Sequence, residues 1–194
     1  MSAMRAAGKA VIFSAPSGSG KTTIVRSLLE AADLPLGFSV SATTRAPRGT
    51  ERDGVDYHYL SGPDFAAAVE RGEFLEWEEV YPGVCYGTLH RELERIAAEG
   101  KAVLFDVDVV GGLRLRSLLG DRALSVFVRT PTLDHLRERL ERRGTDTAES
   151  IAIRLEKAAR EWTYAERFDV QLVNDDLAAA CAEAHALVAT FLAR

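Results

Sequence analysis

The stretch Ala10–Thr23, AVIFSAPSGSGKTT, decides the fold of this 194-residue chain. An apolar, β-prone run, Val11–Phe13, leads into a turn of proline, glycine and serine over 15–20, and a helical pattern begins at Lys21. This order of strand, Gly-rich loop and helix predicts a phosphate-binding loop, because backbone N–H groups can curl around phosphate oxygens only where Cβ atoms do not obstruct them. The N-terminus of the following helix adds its dipole and its unpaired N–H groups.

The loop follows the pattern G-x-x-x-x-G-K-[ST] with one departure, which is Ala15 at the first glycine position. Alanine fits this position if its φ is negative. Lys21 is expected to contact the β- and γ-phosphates of ATP, and the Thr22 hydroxyl is expected to bind Mg²⁺. A Gly-rich turn without a ligand is the alternative, which the intact register of strand, loop and helix disfavours. The predicted ATP-binding residues of the loop are Ala15, Pro16, Ser17, Gly18, Ser19, Gly20, Lys21, Thr22 and Thr23.

Composition and charge limit the classes of function. The chain is 47% hydrophobic and 27% charged, which is ordinary for a globular protein, and its net charge of −5 argues against nonspecific binding of nucleic acid. No apolar run approaches the ~20 residues of a membrane span. Cys85 and Cys181 lie far apart without the spacing of metal ligands, which favours a reducing cytoplasm. We therefore expect a cytoplasmic protein with neither nucleic acid nor a membrane as partner.

Strands alternate with helices over most of the chain, which predicts an α/β fold with a parallel sheet core flanked by helices. Core strands are predicted at 11–13, 38–40, 102–105, 123–128 and 170–173, and core helices at 21–32, 89–98, 111–119, 133–143, 148–164 and 177–192. The segment 41–88 breaks the alternation, since a long loop, strands at 57–60 and 74–80, a helix at 63–71 and a turn at 81–87 predict a small mixed α+β insertion. We expect a single domain with core 9–40 and 89–194, the insertion 41–88, and a helical lid at about 140–156.

Two polar constellations accompany the loop. Asp106 directly follows an apolar strand, as does a Walker-B carboxylate that orients Mg²⁺ or its waters, although a helix cap is the alternative. Arg45, Arg48 and Arg52 lie in a loop with proline and glycine, where Arg side chains can grip phosphate bidentately. A solvated basic loop is the alternative for these arginines.

A second group of arginines flanks the break at 144–146. Arg139 and Arg143 precede it, and Arg154 lies on the next predicted helix. This arrangement suits a lid that closes over a nucleotide and brings Arg to the transferring phosphoryl group. Surface charge paired with Glu138 and Glu141 is the alternative for this helix.

The chain resembles the guanylate kinases from about Lys9 to Leu192. The segment 43–59, TTRAPRGTERDGVDYHY, is similar to the family signature T-[ST]-R-x-x-R-x-x-E-x-x-G-x-x-Y-x-[FY]. Further landmarks follow in the family's order, namely FLEW at 74–77, YGT at 86–88, DVD at 106–108, RRGTDT at 142–147 and VNDD at 173–176. The resemblance implies a P-loop nucleoside monophosphate kinase that transfers the γ-phosphoryl group of ATP to GMP, and also to dGMP, with Mg²⁺ as cofactor.

Carried over position by position, the resemblance implies two substrate sites. On the GMP side, Arg45, Arg48, Tyr57 and Tyr86 hold the phosphate, and Ser41, Glu76, Thr88 and Asp108 read the base. On the ATP side, Arg139 and Arg143 lie near the adenine and phosphates, Asn174 lies near the adenine, and Arg154 reaches the transferred group. The implied catalytic residues are Lys21, Arg45, Arg143 and Arg154, and the implied metal ligands are Thr22 and Asp106.

One departure and two alternatives remain. Val110 stands where the family usually has Gln, which removes an amide that could support Asp108 or the GMP ribose. A non-catalytic interaction module with this fold is one alternative, and an intact Gly-Ser-Gly-Lys-Thr run argues against it. A kinase of another small phosphorylated acceptor, such as a ribose bisphosphate, is the other. The sequence leaves open whether the protein is a monomer or a homo-oligomer.

Overall fold

A five-stranded parallel sheet forms the core of the protein. The computed structural model describes residues 8–144 and 146–194. The strands in this part of the chain are β1 Ala10–Ser14, β2 Leu36–Phe38, β3 Ala42–Thr43, β4 His58–Tyr59, β5 Phe74–Tyr81, β6 Val84–Leu89, β7 Ala102–Val107, β8 Ala123–Arg129 and β9 Val170–Val173. The core sheet has the order β2-β7-β1-β8-β9, so the phosphate-loop strand β1 lies at its centre, and this strand is buried along its whole length.

Helices cover both faces of this sheet because successive side chains of a buried strand point to opposite faces. Val11 and Phe13 pack with Ile24 and Leu28 of α1, on the face that α7 also covers. Ile12 packs on the other face, with α3 and α4. The helices are α1 Lys21–Glu30, α2 Gly62–Glu70, α3 His90–Ala98, α4 Val109–Leu119, α5 Leu133–Arg143, α6 Ala148–Trp162 and α7 Leu177–Ala193.

A second, mixed sheet lies in the segment where the sequence does not show the alternation of strands and helices that is typical of the core. Its order is β4-β3-β6-β5, with β3 and β4 parallel and the other neighbours antiparallel. Helix α2 closes its small core, where Phe65 and Ala68 pack against Phe74 and Leu89. The Phe65 and Phe74 ring centroids are 4.4 Å apart. This sheet therefore has a core of its own beside the main one.

Helices α5 and α6 form an antiparallel pair at the segment predicted as a lid. Leu136 and Leu140 of α5 pack against Ala158 of α6. Gly144 ends α5 with a left-handed φ of 67°, and the Thr147 side chain caps α6 by accepting the Ser150 N–H. Both devices were readable from the sequence break at Gly144. In the described part of the chain, no helix is long and apolar enough to span a bilayer.

The predicted turn at 81–87 is wrong in extent. Only a short connection separates β5 from β6, and the second strand of the hairpin begins at Val84. Gly87 lies in β6, where a Cβ would come within 2.7 Å of the Phe74 side chain and 2.8 Å of the Glu76 carbonyl oxygen. Glycine is needed at this position because β5 and β6 approach each other closely. In the sequence alone, the same glycine indicates a turn. The structure also moves the strand predicted at 38–40 to 36–38, adds β3 inside the predicted long loop, and ends α6 at Trp162.

Candidate active site

A cleft of about 1340 Å³ separates the two sheets and opens at the carboxyl ends of β1 and β7. Ligands of parallel sheets bind at this edge. The structure brings together there most of the residues predicted to act on nucleotides: Ala15, Pro16, Ser17, Gly18, Ser19, Gly20, Lys21, Thr22, Thr23, Ser41, Arg48, Tyr57, Glu76, Tyr86, Asp106, Asp108, Arg139, Arg143 and Arg154. Three predicted residues, Arg45, Thr88 and Asn174, lie behind this lining rather than in it.

The phosphate loop has the conformation that its glycines require. Gly18 and Gly20 have φ values of 95° and 89°, and positive φ occurs only at glycine among the described residues. Ala15 therefore meets the condition set for it at the first loop position. Gly20 is the N-cap of α1, so the loop delivers the helix N-terminus to the cleft.

Asn174 holds the loop from behind. Its side-chain amide donates to the Ser19 carbonyl oxygen at 2.7 Å, and the residue is only 2% exposed. A Cβ at Gly20 would lie 2.3 Å from the same Asn174 nitrogen. The structure thus places Asn174 as a support of the phosphate loop, where sequence reasoning had expected a residue near the adenine. Its buried side-chain oxygen accepts no hydrogen bond from the residues that the structure describes.

Lys21, Thr22 and Asp106 meet at the centre of the cleft. The Lys21 ammonium forms an ion pair with Asp106 at 2.5 Å and donates to the Val107 carbonyl oxygen. The Thr22 hydroxyl donates to the other Asp106 carboxylate oxygen at 3.3 Å. The strand β7 ends here and presents Asp106 to the helix that begins at Lys21. The arrangement brings one cation, the Lys21 ammonium, together with the hydroxyl and carboxylate oxygens of Thr22 and Asp106.

These oxygen donors fit a magnesium ion that is shared with a nucleotide. Mg²⁺ prefers oxygen ligands and is usually held by one or two carboxylates together with substrate phosphates. Among the described residues no group of three or more His, Cys, Asp and Glu side chains could hold a metal by itself. The hydroxyl of Thr22 and the carboxylate of Asp106 thus suit a metal brought with phosphates and not an all-protein cage.

Arg45 is held by a carboxylate that the sequence assignment omitted. Glu51 accepts from both terminal nitrogens of Arg45, at 2.6 and 2.7 Å, and also from the Arg48 N–H and the Tyr59 hydroxyl. Hydrogen bonding to Glu51 raises the pKa of Arg45. The hydrogen bond from Arg45, followed by those from the Arg48 N–H and the Tyr59 hydroxyl, lowers the pKa of Glu51 to about 2. The guanidinium also lies 4.7 Å from the centroid of the Tyr57 ring. Glu51 thus fixes Arg45 immediately behind the cleft wall.

Tyr57 and Tyr86 lie beside this cation. Their ring centroids are 6.0 Å apart in an edge-to-face arrangement. Burial raises the pKa of Tyr57, so its hydroxyl stays a hydrogen-bond donor at neutral pH. With Arg48 on the same wall, the four residues predicted to hold the GMP phosphate are neighbours.

Glu76, Thr88 and Asp108 form a polar corner deeper in the cleft. The buried Thr88 hydroxyl donates to Glu76 at 2.7 Å, and the Gly111 N–H donates to Asp108 at 2.8 Å. Burial raises the pKa of Glu76, and the nearby charge of Asp108 adds to the rise. Each of these hydrogen bonds uses one oxygen of the carboxylate, Oε1 of Glu76 and Oδ1 of Asp108. Ser41, whose carbonyl oxygen accepts the His58 N–H, lines the same cleft.

The arginines of α5 and α6 face the phosphate loop. Arg154 donates to the Ser17 hydroxyl at 2.7 Å and forms an ion pair with Asp146 at 3.0 Å. Arg139 donates to the carbonyl oxygens of Asn174 and Asp175. Arg143 lines the cleft from the end of α5. Helix α6 therefore already touches the phosphate loop through Arg154.

Sequence reasoning missed Glu51 and Asp146 as functional residues. Both lie inside the segments that carry the family resemblance, 43–59 and 142–147, but neither was given a role. A carboxylate beside several arginines was the available signal, because cations that converge on a phosphate site need counter-charges to hold them in place.

A parallel sheet with a phosphate loop, a carboxylate at the neighbouring strand and arginines on both walls defines a P-loop nucleotide-binding protein. The sequence model described as guanylate kinase matches residues 7–190. The chain belongs to the guanylate kinase family.

Individual relatives agree along nearly the whole length. The chain is 48% identical over 186 residues to a guanylate kinase of Porphyromonas gingivalis, covering 96% of this chain and 99% of the relative. It is 51% identical over 185 residues to a guanylate kinase of Bacteroides thetaiotaomicron, covering 95% and 90%.

A solved structure is similar as well. The crystal structure of guanylate kinase from Anaplasma phagocytophilum matches with a TM-score of 0.77 and 27% identity, over 97% of this chain and 88% of that chain. A gluconokinase from Sinorhizobium meliloti matches at a TM-score of 0.51 and 18% identity, a likeness that concerns the fold alone. The predicted fold class and family are confirmed.

Proposed function

We propose that this protein is an ATP:GMP phosphotransferase that transfers the γ-phosphoryl group of ATP to GMP, giving ADP and GDP for purine nucleotide metabolism. The observation that carries the proposal is the shared cleft, in which a phosphate loop faces an Arg–Tyr phosphate grip and a carboxylate corner. The insertion 41–88 binds GMP, and the lid at about 140–156 covers ATP. The free cysteines, Cys85 and Cys181, fit a reducing cytoplasm.

The acceptor phosphate needs positioning more than activation. Its second pKa is about 6, so the attacking oxygen is already largely deprotonated at neutral pH. Two polyanions must nevertheless approach each other in line, which requires cations on both substrates. Arg45 and Arg48 neutralise the GMP phosphate, Lys21 the ATP phosphates, and Arg143 and Arg154 the group in transfer.

Thr22 and Asp106 are the residues that would hold a magnesium ion bound together with ATP, and the ion would supply neutralisation of the phosphate charge. The Lys21–Asp106 ion pair keeps both side chains at that position before a nucleotide arrives. Arg139 orients the nucleotide from α5, while Asn174 keeps the loop in shape from behind.

Guanine is selected by matched donors and acceptors. Its N1–H and 2-amino group donate to the free oxygens of Glu76 and Asp108, and its O6 accepts from a hydroxyl, for which Ser41 and Thr88 are available. Adenine reverses part of this pattern and would leave buried acceptors unpaired, which polar sites penalise strongly.

An assay of ADP release with ATP and Mg²⁺ tests the proposal. GMP, dGMP, AMP, UMP and ribose 1,5-bisphosphate are compared side by side. We expect rapid turnover with GMP and little with AMP. Turnover with the bisphosphate but not with GMP would exclude the guanine site, and no turnover from a folded protein that binds GMP would favour a non-catalytic module.

Substitution of Lys21 tests the phosphate loop. Lys21→Met should lower kcat by at least about 100-fold, because one charge that acts on the transition state is lost. Lys101→Met is the matched control, since the Lys101 ammonium pairs with Glu99 at the surface, away from the cleft. Near-normal turnover of a folded Lys21→Met protein would contradict the assignment.

A further inference from the structure

Glu78 is a second carboxylate on the face of β5 that lines the cleft. Residues two apart on a strand share a face, and Glu76, Glu78 and Val80 all line the cleft. The register pairs Glu76 with Thr88 and Glu78 with Tyr86. The next residue, Glu79, is exposed and accepts the Gly83 N–H in the hairpin turn.

This register places Glu78 between two parts of the acceptor site. Glu76 and Thr88 belong to the corner that faces the base, and Tyr86 belongs to the phosphate grip. Two residues along a strand span about 7 Å. In a mononucleotide, the ribose occupies the space between base and phosphate, so Glu78 stands where the ribose lies.

The Glu78 carboxylate is held but not saturated. Arg114 of α4 lies 3.5 Å from the Glu78 Oε2 atom and donates to the Trp77 carbonyl oxygen at 2.7 Å. That same Oε2 atom is buried and accepts no hydrogen bond from the described residues, whereas the Glu78 side chain as a whole keeps 28% of its surface exposed and lines the cleft. An ionised carboxylate has two acceptor oxygens, so Glu78 can face Arg114 with one of them and still accept a hydrogen bond from a ligand in the cleft.

The amide that the family usually carries at position 110 is not available to bind the ribose in this chain. Val110 in the first turn of α4 is 41% exposed and has no polar atom on its side chain. Carboxylates in other nucleotide sites accept hydrogen bonds from ribose hydroxyls. We propose that Glu78 accepts a hydrogen bond from the ribose 2′-hydroxyl of the acceptor mononucleotide, which dGMP lacks, and so favours GMP over dGMP. This inference rests on the proposed function.

The test compares kcat/KM for GMP and for dGMP in the wild type and in four variants. The wild type should prefer GMP by about tenfold, as expected for a hydrogen bond to a charged acceptor. Glu78→Ala should abolish the preference by lowering kcat/KM for GMP while dGMP is used as before. Glu78→Gln, which keeps a neutral acceptor, should show an intermediate preference.

Two controls separate substrate contact from a structural tie. Arg114→Gln removes the ion pair between α4 and β5 but keeps the carboxylate, so the preference for GMP should survive. Glu79→Gln removes the same charge as Glu78→Gln but on the opposite face of β5, so kcat/KM should change neither for GMP nor for dGMP. Equal losses for GMP and dGMP in Glu78→Ala, or an unselective wild type, would overturn the inference.

Calorimetric titration of GMP and dGMP without ATP gives a readout independent of turnover. The ratio of the two dissociation constants should follow the same order among the variants. If the wild type phosphorylates no mononucleotide, the proposed function fails, and this binding ratio still decides the role of Glu78. Equal affinities for the two ligands in every variant would overturn it.

Discussion

Glu51 shows how a single carboxylate organises the residues proposed to bind the GMP phosphate. It holds Arg45 from two nitrogens and also receives the Arg48 N–H and the Tyr59 hydroxyl. Because its pKa is about 2, it remains ionised throughout the physiological pH range. The cation is therefore presented in one orientation before any phosphate arrives, which lowers the entropic cost of binding.

Replacing Glu51 should change the KM for GMP but not the KM for ATP. In Glu51→Gln the fork loses its charged partner, and we expect KM for GMP to rise about tenfold while KM for ATP stays unchanged. Steady-state kinetics with each substrate varied in turn measures both constants. Glu73→Gln, which removes an exposed ion pair with Arg71 in the same insertion, is the control. Equal changes in both KM values would mean that Glu51 only maintains the fold.

Glu76 places function in conflict with stability. Its pKa is raised by burial, with Asp108 adding to the rise, so the folded state disfavours the charged form. The sign follows from linkage: such a group contributes most to stability at low pH, and that contribution is lost as pH rises through its folded pKa. Above its folded pKa, the charge of Glu76 therefore lowers the free energy of unfolding, although the same charge is the one proposed to bind guanine.

Glu76→Gln should consequently be more stable and less active. We expect a higher Tm than that of the wild type at pH 7.5, a smaller difference at pH 5, and a large rise in KM for GMP. Differential scanning calorimetry at both pH values gives the comparison. A variant whose Tm falls at pH 7.5 would show that the hydrogen bond from Thr88 outweighs the desolvation of the charge.

Helix α3 joins the two sheets through Glu92, a buried residue. Its carboxylate accepts from the Val40 N–H at 3.1 Å and from Arg95 at 2.8 Å, and it lies 3.1 Å from the His58 ring nitrogen. Burial alone would raise the pKa of Glu92, but these hydrogen bonds together lower it. The residue connects the end of the main sheet at Val40 to the strand β4 of the second sheet.

Removing this connection should destabilise the whole protein. Glu92→Ala leaves the Val40 N–H without a partner, and we expect the free energy of unfolding to fall by about 2–3 kcal/mol. Denaturant unfolding at pH 7 measures the loss, and Glu94→Ala on the exposed side of α3 is the control. Because the pKa of Glu92 is lowered in the folded protein, its contribution to the free energy of unfolding should be lost as pH falls through the folded pKa. The stabilities of the wild type and of Glu92→Ala should therefore converge in acid. A constant difference at all pH values would contradict the linkage.

Helices and strands could be predicted where neighbouring residues in the sequence determine them, and not where contacts between distant residues do. The core strands and helices followed from apolar periodicity and from breaks such as Gly144, and the phosphate loop followed from its glycines. The strand β6 did not, because Gly87 serves a contact with Phe74 that lies thirteen positions away. In the site, Lys21 and Asp106 were predicted from motifs. The support of the loop by Asn174 and the bidentate hold of Glu51 on Arg45 depend on tertiary approach and have no periodic signature.

At the scale of the whole molecule, the segment predicted as a lid lies against the phosphate loop, whereas the insertion lies across the open cleft from it. Helix α6 already contacts the phosphate loop through the Arg154–Ser17 hydrogen bond. The cleft nevertheless has a volume of about 1340 Å³, and the second sheet forms its far wall. Closure around two substrates should therefore come chiefly from the second sheet, which moves toward the loop.

Small-angle scattering can test this division. We expect GMP to give most of the decrease in the radius of gyration, and a non-hydrolysable ATP analogue alone to give little. Each ligand at about 100 times its dissociation constant should also add about 2.7 kcal/mol to the free energy of unfolding. A decrease produced mainly by the ATP analogue would place the larger movement in the lid instead.

The support of the phosphate loop by Asn174 has a consequence for the order of synthesis. The loop is translated early, whereas the amide that braces Ser19 lies 155 positions further along the chain. A nascent chain that already displays the Gly-Ser-Gly-Lys-Thr run lacks the brace, as well as the strands β7 and β8 that flank β1. The hydrogen bond that braces the loop can therefore form only after Asn174 has been synthesised, close to the end of the chain.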